Sequence, residues 1–458
     1  MSETQALRAF QQGFWGQIVR PEDPSFDKDR ALFNGIFDRR PRIIVRCANE
    51  ADVTRAVRFA REHDLTTAVR GGGHNGAGFG AVDDGLVIDL SPMNKIQVDP
   101  RRRVARVQGG CTWGAVDRAT HAFGLATVSG IVSTTGVTGL TLGGGHGYLT
   151  RRYGLTIDNL LTAEVVLADG RLVRTSPEEH PNLFWALRGG GGNFGVVTCL
   201  EFRLHPVDTV VAGPIFWRLR DLETTLKWYR EWLPQADEAA YAFYLAGEVP
   251  AAAPYPEPIQ GEKVCGLVWC HTGSDEQSEA ALEGVRQVAE PLYEGVARMP
   301  YPALQEAFDP VYPSGDLWYW TGGLVREISD EAVAEHARFG EVPTAQSTMH
   351  LYPVDGAVQR VPGDATAWGH RDATWSMVIA GVDGDPGNWD RIAHWARSYS
   401  EALRPHTVGA PYINFMMDEG PEGVRKTYGA NFRRLQRVKA RYDPDNFFRV
   451  NQNIEPAP

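Results

Sequence analysis

Apolar residues near the start of the chain recur with the period of an α-helix, and shorter apolar runs surround them. Val53, Val57 and Ala60 fall on one face of a helix predicted over residues 49–63, which Asn49 can cap. Short, mostly apolar runs are typical of buried strands, and such runs occupy residues 42–45, 66–69 and 86–90. The first part of the chain is therefore predicted to fold as short strands around one helix.

Strand and helix signals continue up to the dipeptide His205-Pro206, where we place a boundary. Asp169-Gly170 joins two strand-like runs over 164–168 and 171–174, which predicts a β-hairpin. The other elements predicted in this part are strands over 103–107 and 196–204 and helices over 112–123 and 182–187.

Beyond this boundary, the pattern predicts an antiparallel sheet backed by helices. Strands are predicted over residues 241–245, 264–271, 317–324, 348–352 and 375–381, and helices over 222–233, 276–289 and 390–403. A last helix is predicted over 420–440. Together these elements predict the α+β fold class.

Composition and charge exclude several classes of protein. The chain has 458 residues, a net charge of −11 and a pI near 5.6, which disfavours nucleic acid and anionic membranes as partners. No signal peptide is predicted at the N-terminus, and the uncharged stretch 119–150 is too rich in Gly, Ser and Thr for a membrane span.

The cysteines are odd in number and widely spaced, so they match no zinc site and no metal is expected. Five residues apart on one predicted strand, Cys265 and Cys270 face opposite sides and are not expected to pair. Reduced thiols in a cytoplasmic protein fit this pattern. The cysteines are Cys47, Cys111, Cys199, Cys265 and Cys270.

Three glycines and a histidine follow the strand over 66–69. In the segment 70–75 (Arg-Gly-Gly-Gly-His-Asn), consecutive glycines allow a tight turn that exposes backbone N–H groups to an anionic ligand. Such a turn alone is most often only a turn. The segment nevertheless resembles the flavin-binding loop of the berberine-bridge-enzyme-like FAD-linked oxidases, in the vanillyl-alcohol-oxidase or PCMH-type superfamily. The resemblance implies a covalent bond from His74 to the 8-alpha methyl group of FAD.

Three more segments match the same family in the same order: residues 136–159, 187–198 and 442–454. The resemblance covers nearly the whole chain and is nearest to bacterial members similar to 6-hydroxynicotine oxidase. The residues that it implies in FAD binding are Arg70, Gly71, Gly72, Gly73, His74, Asn75, Thr134, Thr135, Gly136, Gly139, Gly143, Gly144, His146, Gly147, Gly195, Val197, Tyr412, Asn414 and Asn451.

The same resemblance implies how the chain is divided. It indicates a two-part FAD-binding domain of residues 1–205 and 412–458. A substrate-binding domain of residues 206–411, an antiparallel sheet backed by helices, is inserted between the two parts.

Two positions near residue 132 bear on the flavin. Many relatives form a second covalent bond to FAD from a cysteine, but the corresponding residue here is Val132, which cannot form a thioether. We therefore expect a single covalent link, through His74. In relatives, the residue that corresponds to Thr135 admits oxygen to the flavin when it is small and blocks oxygen when it is large. The small side chain of Thr135 therefore favours an oxidase.

The catalytic base of the family has no counterpart at its usual positions. The family's tyrosine base aligns with Phe415, and two strand positions that are often polar align with Met377 and Ile379. Three explanations stay open: the alignment is offset, the base comes from elsewhere, or the substrate needs no strong base.

Four other residues are candidates for the catalytic role: Tyr319, Tyr352, His350 and Tyr148. Strand alternation puts His350 and Tyr352 on one face of their strand. The same alternation puts Tyr319 on the opposite face from the neighbouring Trp318 and Trp320.

The resulting functional hypothesis is an FAD-dependent oxidase. It takes a hydride from a small aromatic or apolar alcohol, amine or secondary metabolite and reduces O2 to H2O2, and the chain acts as a monomer or homodimer. Alternatives are a flavin dehydrogenase with another electron acceptor, a sugar oxidase and, least favoured, a flavin-binding protein without turnover.

Overall fold

The structure is a computed structural model and describes residues 3–458. Its architecture is α+β, as the sequence predicts. The strands are β1 (Gln17–Val19), β2 (Ile43–Arg46), β3 (Thr67–Arg70), β4 (Leu86–Asp89), β5 (Ile96–Asp99), β6 (Val104–Gln108), β7 (Leu125–Ala126), β8 (Leu160–Val166), β9 (Leu172–Thr175), β10 (Val196–Arg203), β11 (His205–Pro206), β12 (Thr209–Arg218), β13 (Ala240–Glu248), β14 (Lys263–His271), β15 (Tyr293–Glu294), β16 (Ala297–Pro300), β17 (Leu317–Val325), β18 (Thr348–Pro353) and β19 (Trp375–Asp383).

The α-helices connect and cover these strands. They are α1 (Glu3–Gln11), α2 (Phe26–Arg30), α3 (Glu50–Glu62), α4 (Trp113–His121), α5 (Val137–Leu142), α6 (Thr150–Tyr153), α7 (Pro181–Leu187), α8 (Leu222–Trp232), α9 (Asp275–Val288), α10 (Tyr301–Glu306), α11 (Asp330–Phe339), α12 (Trp389–Leu403), α13 (Gly420–Tyr428) and α14 (Phe432–Tyr442). Within residues 3–458, none of these helices combines the length and apolar character that crossing a membrane requires.

The first sheet has four strands in the order β1-β2-β4-β3, and β4 pairs in parallel with both β2 and β3. Helix α3 buries its apolar face against this sheet, with Val53, Val57 and Ala60 fully enclosed. The side chain of Asn49 accepts a hydrogen bond from the backbone nitrogen of Asp52, so it caps the helix as predicted. Strand β3 leads directly into the glycine-rich loop.

The second sheet is antiparallel and has five strands in the order β5-β6-β10-β8-β9. The predicted hairpin around Asp169-Gly170 joins β8 to β9. Side chains of α4, α7 and α14 pack with this sheet in one apolar cluster, which includes Trp113, Leu183 and Leu435. The C-terminal part of the chain thus packs with elements from its first half.

The third sheet is antiparallel and has eight strands, and its two faces have different neighbours. Along the path β15-β12-β14-β13-β18-β19-β17, with β16 also paired to β12, side chains alternate between the faces. One face, here called the helix face, packs against α8, α9, α11 and α12. The other, the cavity face, carries Tyr352, Val378 and Ala380 among others. Cys265 and Cys270 lie on opposite faces, as predicted.

The single helix predicted over 420–440 is wrong, because the chain breaks between α13 and α14. Gly429 takes a φ of +48°, a conformation that ends a helix and that other residues rarely adopt. The side chain of Asn431 then donates to the carbonyls of Gly363 and Thr366, which fixes the turn. The pattern also gave no prediction for β12 and α11.

A fully buried ion pair ties the C-terminal tail to the rest of the fold. The ammonium nitrogen of Lys439 lies 2.6 Å from a carboxylate oxygen of Asp443, and both side chains are completely enclosed. The ammonium also donates to the carbonyls of Asn193 and Phe448, each at 2.8 Å. Asp443 accepts from the backbone nitrogens of Phe447 and Phe448. Every charge in this group therefore has a partner.

We expect Lys439→Met to lower the free energy of unfolding by about 3–5 kcal/mol, because it leaves the Asp443 carboxylate buried without its cation. Chemical denaturation followed by tryptophan fluorescence would measure the loss. Lys426→Met is the matched control, since its pair with Glu422 is exposed, and it should leave the denaturation midpoint unchanged. Equal effects of the two substitutions would contradict this account.

Candidate active site

A cavity of about 330 Å³ lies between the glycine-rich segments and the cavity face of the third sheet. One wall comes from the loop after β3, from residues 130–143 and 191–197, and from the tail around residues 448–452. The opposite wall comes from β17, β18 and β19. Both ends of the chain and its middle therefore contribute to one space.

The part of the cavity wall that comes from the loop after β3 consists mostly of backbone without side chains. The N–H groups of residues 71–75 donate to no acceptor within the described chain, residues 3–458. A Cβ atom on Gly72 would lie 2.4 Å from the backbone nitrogen of Gly136, and one on Gly136 would lie 2.3 Å from that of Gly72. No side chain fits at either position, so the two glycine segments are in direct backbone contact.

His74 projects from this loop and is held by three neighbours. The ring of Phe33 stacks on the imidazole with a centroid distance of 4.0 Å. The hydroxyl of Thr134 lies 3.1 Å from Nε2, and that of Thr135 lies 3.5 Å from Nδ1. Burial lowers the pKa of His74 to about 4, so its imidazole is neutral near pH 7.

Arg70 lies at the base of the loop. One guanidinium nitrogen, Nη2, donates to the carboxylate of Asp89 at 2.9 Å and to the carbonyl of Asp29 at 2.5 Å. The other, Nη1, is buried and has no partner within the described chain. The positive charge of Arg70 is balanced by Asp89, and Arg70 is one of the residues that line the cavity.

The second glycine-rich segment is fixed by the chain's C-terminal part. The hydroxyl of Tyr412 accepts hydrogen bonds from the backbone nitrogen of Gly145 and from Nδ2 of Asn414, both at 2.8 Å. Asn414 also donates to the carbonyl of Leu140. Burial raises the pKa of Tyr412, so its phenol stays protonated. These contacts support our assignment of Tyr412 and Asn414 to the structure around the flavin.

His146 lies between the glycine-rich segment and the third sheet. Its Nε2 is 3.1 Å from the hydroxyl of Ser376, and its Nδ1 is buried with no partner among the described residues. Burial lowers the pKa of His146 to about 3, so it is a neutral ring in the cavity wall.

The third glycine-rich segment and the tail complete this wall. The side chain of Asn451 donates to the carbonyl of Gly192, while its Oδ1 has no partner in the described part of the chain. A Cβ atom on Gly139 or Gly192 would meet no atom within 4 Å, so open space lies over both glycines.

These features fit FAD. Free N–H groups at residues 71–75 suit a pyrophosphate. The open space over Gly139 and Gly192 admits a flat ring against bare backbone. Unpartnered polar atoms on Arg70, His146 and Asn451 are available to a ligand with many hydrogen-bonding groups.

The opposite wall is a slot in the cavity face of the third sheet. The strand register aligns Thr348 of β18, Ala380 of β19 and Trp320 of β17 in one row across the sheet. His350 and Val378 form the next row. Because two strand spacings separate β18 from β17, the slot is about 9–10 Å wide, with an apolar floor.

A tyrosine–histidine pair lines one side of this slot. The hydroxyl of Tyr352 lies 2.5 Å from Nδ1 of His350, and both side chains are buried. Burial lowers the pKa of His350 to about 3 and raises that of Tyr352 well above its ordinary value. A hydrogen bond therefore joins a neutral imidazole to a protonated phenol, and the tautomer of His350 decides which of the two donates.

The cavity has little charge. Among the described residues that line it, there is no aspartate, glutamate or lysine, and Arg70 is neutralised by Asp89. The aromatic side chains that line it are Phe33, Phe79, Tyr312, Trp318, Trp320, Tyr352, Tyr412, Phe415 and Phe448.

Several predicted site residues lie elsewhere. Tyr319 lies on the helix face, where its ring centroid is 6.0 Å from that of Trp389. From this position its side chain does not reach the cavity, contrary to the expectation that it meets substrate. Tyr148 is buried beside Tyr241 and does not line the cavity. Thr134, Gly144 and Gly147 do not line the cavity, although the hydroxyl of Thr134 contacts His74, which does.

Met377 and Ile379 also lie on the helix face, so neither can be the family's base position. Their neighbours Val378 and Ala380 face the cavity instead, so the polar strand positions of the family have an apolar counterpart on either face. Phe415, the residue expected at the position of the family's tyrosine, does line the cavity. All other residues expected to bind FAD line the cavity.

The sequence gave no indication that Phe33, Thr348 or Tyr312 belongs to the site. Phe33 lies outside the motifs, and long-range contacts bring it to His74: its backbone nitrogen donates to the carbonyl of Gly73, and its ring packs against Trp318. Alternation along β18 already pairs Thr348 with His350 and Tyr352 on one face, and this signal could have identified it.

Comparison with protein families gives two matches. A family model described as an FAD binding domain matches residues 41–176, and one described as berberine and berberine like matches residues 411–455. The two matched regions are the parts of the chain that carry the glycine loop and the tail of the site.

Relatives and solved structures match along nearly the whole chain. The FAD-linked oxidoreductase YgaK of Bacillus subtilis is 32% identical, over 96% of this chain and 97% of its own. (R)-6-hydroxynicotine oxidase of Paenarthrobacter nicotinovorans is 31% identical, and the match covers 96% of this chain and 97% of that protein. The crystal structure of 6-hydroxy-D-nicotine oxidase from Arthrobacter nicotinovorans superimposes with a TM-score of 0.87 at 29% identity, over 97% of this chain and 99% of that one.

Berberine bridge enzyme from Eschscholzia californica has the same fold, with a TM-score of 0.86 at 19% identity, over 99% of each chain. The glycine-rich walls, the full-length relatives and the shared fold agree with the two-part architecture predicted from the motifs. The chain belongs to the berberine-bridge-enzyme-like family of FAD-linked oxidases and is an FAD-dependent oxidoreductase.

Proposed function

We propose that the chain is an oxidase that takes a hydride from a small, uncharged aromatic or apolar alcohol or amine and passes the electrons to O2, giving H2O2. The observation that carries this proposal is the pairing of a flavin-type wall with an aromatic slot in one cavity. FAD, when bound, supplies the hydride-accepting chemistry. Residues 1–205 and 412–458 would hold it, and residues 206–411 would supply the slot.

Attachment of the cofactor would be through His74 alone. His74 lines the cavity, its imidazole is neutral, and neutral nitrogen has the lone pair that a bond to carbon requires. Val132 also lines the cavity and has no nucleophilic atom. Thr135 leaves room beside the glycine wall, which supports oxygen as the electron acceptor.

The charge of the cavity supports a neutral substrate. An ammonium group would lose its hydration in the slot without gaining a carboxylate partner, which is costly. Trp318 and Trp320 on one side and Phe415 on another suit a flat ring. A relative that is 31% identical is named for the oxidation of 6-hydroxynicotine, and this supports an aromatic substrate over a sugar.

The Tyr352–His350 pair is the proposed proton acceptor. A substrate hydroxyl or amine hydrogen-bonded to Tyr352 Oη could pass its proton to that oxygen while the phenol proton moves to Nδ1 of His350. This pair would replace the missing tyrosine at Phe415.

The five cysteines are buried and unpaired, which supports a reducing compartment such as the cytoplasm. We retain a monomer or homodimer as the proposed assembly.

We expect His74→Ala to abolish acid-resistant flavin. Protein precipitated with acid should keep its yellow colour and fluorescence in the wild type and lose them in the variant, because the proposed attachment nitrogen is removed. His394→Ala, on the exposed surface of α12, is the control and should keep the colour. A colourless wild-type pellet would refute covalent attachment.

We expect Tyr352→Phe to lower kcat about 100-fold or more, with bound flavin unchanged, because general-base assistance contributes about 10²–10⁴-fold. Steady-state kinetics would measure it. Tyr319→Phe, on the helix face, should leave kcat unchanged. A small effect of Tyr352→Phe would mean that the substrate needs no strong base.

The pH profile tests the same pair. Because the pKa of His350 is about 3, its imidazole is unprotonated and free to accept a proton above about pH 4. Below that pH it becomes protonated and can no longer act as the acceptor. We therefore expect kcat to be flat between about pH 5 and pH 8 and to fall as the pH drops toward 3. A rise in kcat centred near pH 6.5 would instead indicate a solvent-exposed histidine.

We expect neutral aryl alcohols to bleach the flavin under anaerobic conditions, and air to restore its colour within seconds with release of H2O2. Stopped-flow absorbance and a peroxide assay would follow both steps. Bleaching by glucose or cello-oligomers instead would favour a sugar oxidase. Slow recovery in air with fast recovery by a quinone would favour a dehydrogenase.

A further inference from the structure

A turn over residues 132–135 joins the cavity wall to His74. The backbone nitrogen of Thr135 donates to the carbonyl of Val132 at 3.2 Å, which closes the turn, and both residues line the cavity. The hydroxyl of Thr134 lies 3.1 Å from Nε2 of His74, and that of Thr135 lies 3.5 Å from Nδ1. The position of this turn therefore decides both the shape of the wall and the contacts of the imidazole.

Asp309, far along the chain, binds the turn through Ser133. The backbone nitrogen of Ser133 donates to Oδ1 of Asp309 at 3.0 Å, and its hydroxyl donates to Oδ2 at 2.5 Å. Hydrogen bonds to a carboxylate are roughly twice as strong as those between neutral groups. Within residues 3–458, the Asp309 carboxylate has no other hydrogen bond and no ion pair, so both of its oxygen atoms are committed to Ser133.

Helix α10, which directly precedes Asp309, is fixed to the same region. The buried side chain of Gln305 donates from Nε2 to a carboxylate oxygen of Asp117 in α4 at 3.1 Å and to the hydroxyl of Ser129 at 2.5 Å. The hydroxyl of Tyr301, at the start of α10, lies 3.3 Å from the same hydroxyl of Ser129. These contacts hold α10 against the segment that leads into the turn, so they also restrain Asp309.

The first part of the chain holds the turn from its other side. The carbonyl of Ser133 accepts from the backbone nitrogen of Gly114 at 2.8 Å, and that of Thr135 accepts from Trp113 at 3.0 Å. A Cβ atom on Gly114 would lie 2.9 Å from both Cβ and Oγ of Ser133, so the turn packs directly on the backbone at the start of α4. The turn is thus clamped between α4 and Asp309.

We propose that Asp309 is a positioning residue that holds the turn against His74, so that the inserted part of the chain helps to fix the place where the cofactor is attached. This inference rests on the proposed covalent attachment through His74. Asp309 does not line the cavity and acts through Ser133. Without this contact, the two threonine hydroxyls of the turn lose their fixed positions beside the imidazole, and the imidazole loses its fixed orientation.

The attachment step balances with dioxygen as the oxidant. A nitrogen of the neutral His74 imidazole forms a bond to the 8-alpha carbon of FAD, and one C–H bond of that methyl group breaks. The imidazole N–H and the broken C–H each release a proton, and the electron pair of the C–H bond passes through the flavin ring to O2. With two protons, O2 becomes H2O2. Asp309 forms none of these bonds and only positions the imidazole that does.

Hydrogen exchange tests the hold on the turn directly. In Asp309→Ala the backbone N–H of Ser133 loses its acceptor, so peptides covering residues 130–136 should take up deuterium about tenfold faster or more, the value of one hydrogen bond to a charged group. Mass spectrometry of the full-length, flavin-loaded protein would measure this uptake. Glu306→Gln is the matched control, because its exposed ion pair with Arg118 also joins α10 to α4 but does not touch the turn.

The rate of attachment gives a second readout. Full-length protein from riboflavin-limited cells is mixed with saturating FAD, and acid-resistant flavin is followed over time. We expect Asp309→Ala to slow attachment about tenfold, since misplacing groups at a reacting centre by about 1 Å can cost up to about 100-fold. Glu306→Gln should attach flavin at the wild-type rate.

Two further variants separate positioning from general loosening. Asp309→Asn should restore most of the rate, because its amide oxygen can accept from the Ser133 nitrogen and its amino group can donate to the Ser133 hydroxyl. Ser133→Ala removes one of the two bonds and should slow attachment about threefold, the value of one neutral hydrogen bond. The double variant Ser133→Ala with Asp309→Ala should be no slower than Asp309→Ala alone, since both changes break the same contact.

The inference is overturned if Asp309→Ala leaves deuterium uptake over residues 130–136 unchanged, or if it attaches flavin at the wild-type rate. Equal slowing by Glu306→Gln, or a double variant slower than Asp309→Ala alone, would also overturn it. Should Asp309→Ala fail to fold, wild-type attachment rates in Ser133→Ala would count equally against it. These outcomes leave covalent attachment intact, whereas wild-type protein with no acid-resistant flavin at all would refute the proposed attachment itself.

Discussion

The site depends on the direct contact between the backbones of Gly72 and Gly136. No side chain fits at either position, so the loop after β3 and the segment that precedes α5 can approach as closely as two backbones allow. This approach places the hydroxyls of Thr134 and Thr135 against the imidazole of His74. A methyl group at either glycine would push the two segments apart and would remove His74 from its partners.

The alternation of side chains along the strands determines the wall opposite the glycine-rich segments. Along β18 and β19, each residue belongs either to the helix face or to the cavity face, and a shift of one position exchanges the two. The apolar residues Met377 and Ile379 pack under the helices, while Val378 and Ala380 floor the slot. The same alternation brings His350 and Tyr352 together on the cavity face, so one geometric rule both builds the core and assembles the pair that we propose as the proton acceptor.

The sequence patterns predicted most of the features that depend on neighbouring residues alone. The cap of α3, the hairpin at Asp169-Gly170 and the sides taken by Cys265 and Cys270 each depend on a few neighbouring residues, and these predictions are confirmed. The glycine motifs indicated the glycine-rich wall of the cavity, because two backbone segments can approach this closely only where both residues lack a side chain.

Long-range contacts decided the rest. The break at Gly429 depends on carbonyls more than sixty residues away, which bond to Asn431. Phe33 reaches His74 through the tertiary fold, and no pattern near Phe33 signals it. Tyr319 and Tyr148 were chosen for their chemistry, but Tyr319 lies on the helix face and Tyr148 is buried beside Tyr241, so neither lines the cavity.

The contribution of the C-terminal tail to the cavity has a consequence for the order of events in the cell. Tyr412 holds the backbone of Gly145, and Asn451 holds that of Gly192, so the cofactor wall is incomplete until these residues leave the ribosome. Folding of the first half during synthesis therefore yields an open cradle. FAD would then meet a complete wall only after the tail has packed against the glycine-rich segments, and its binding would stabilise the chain in that packed state.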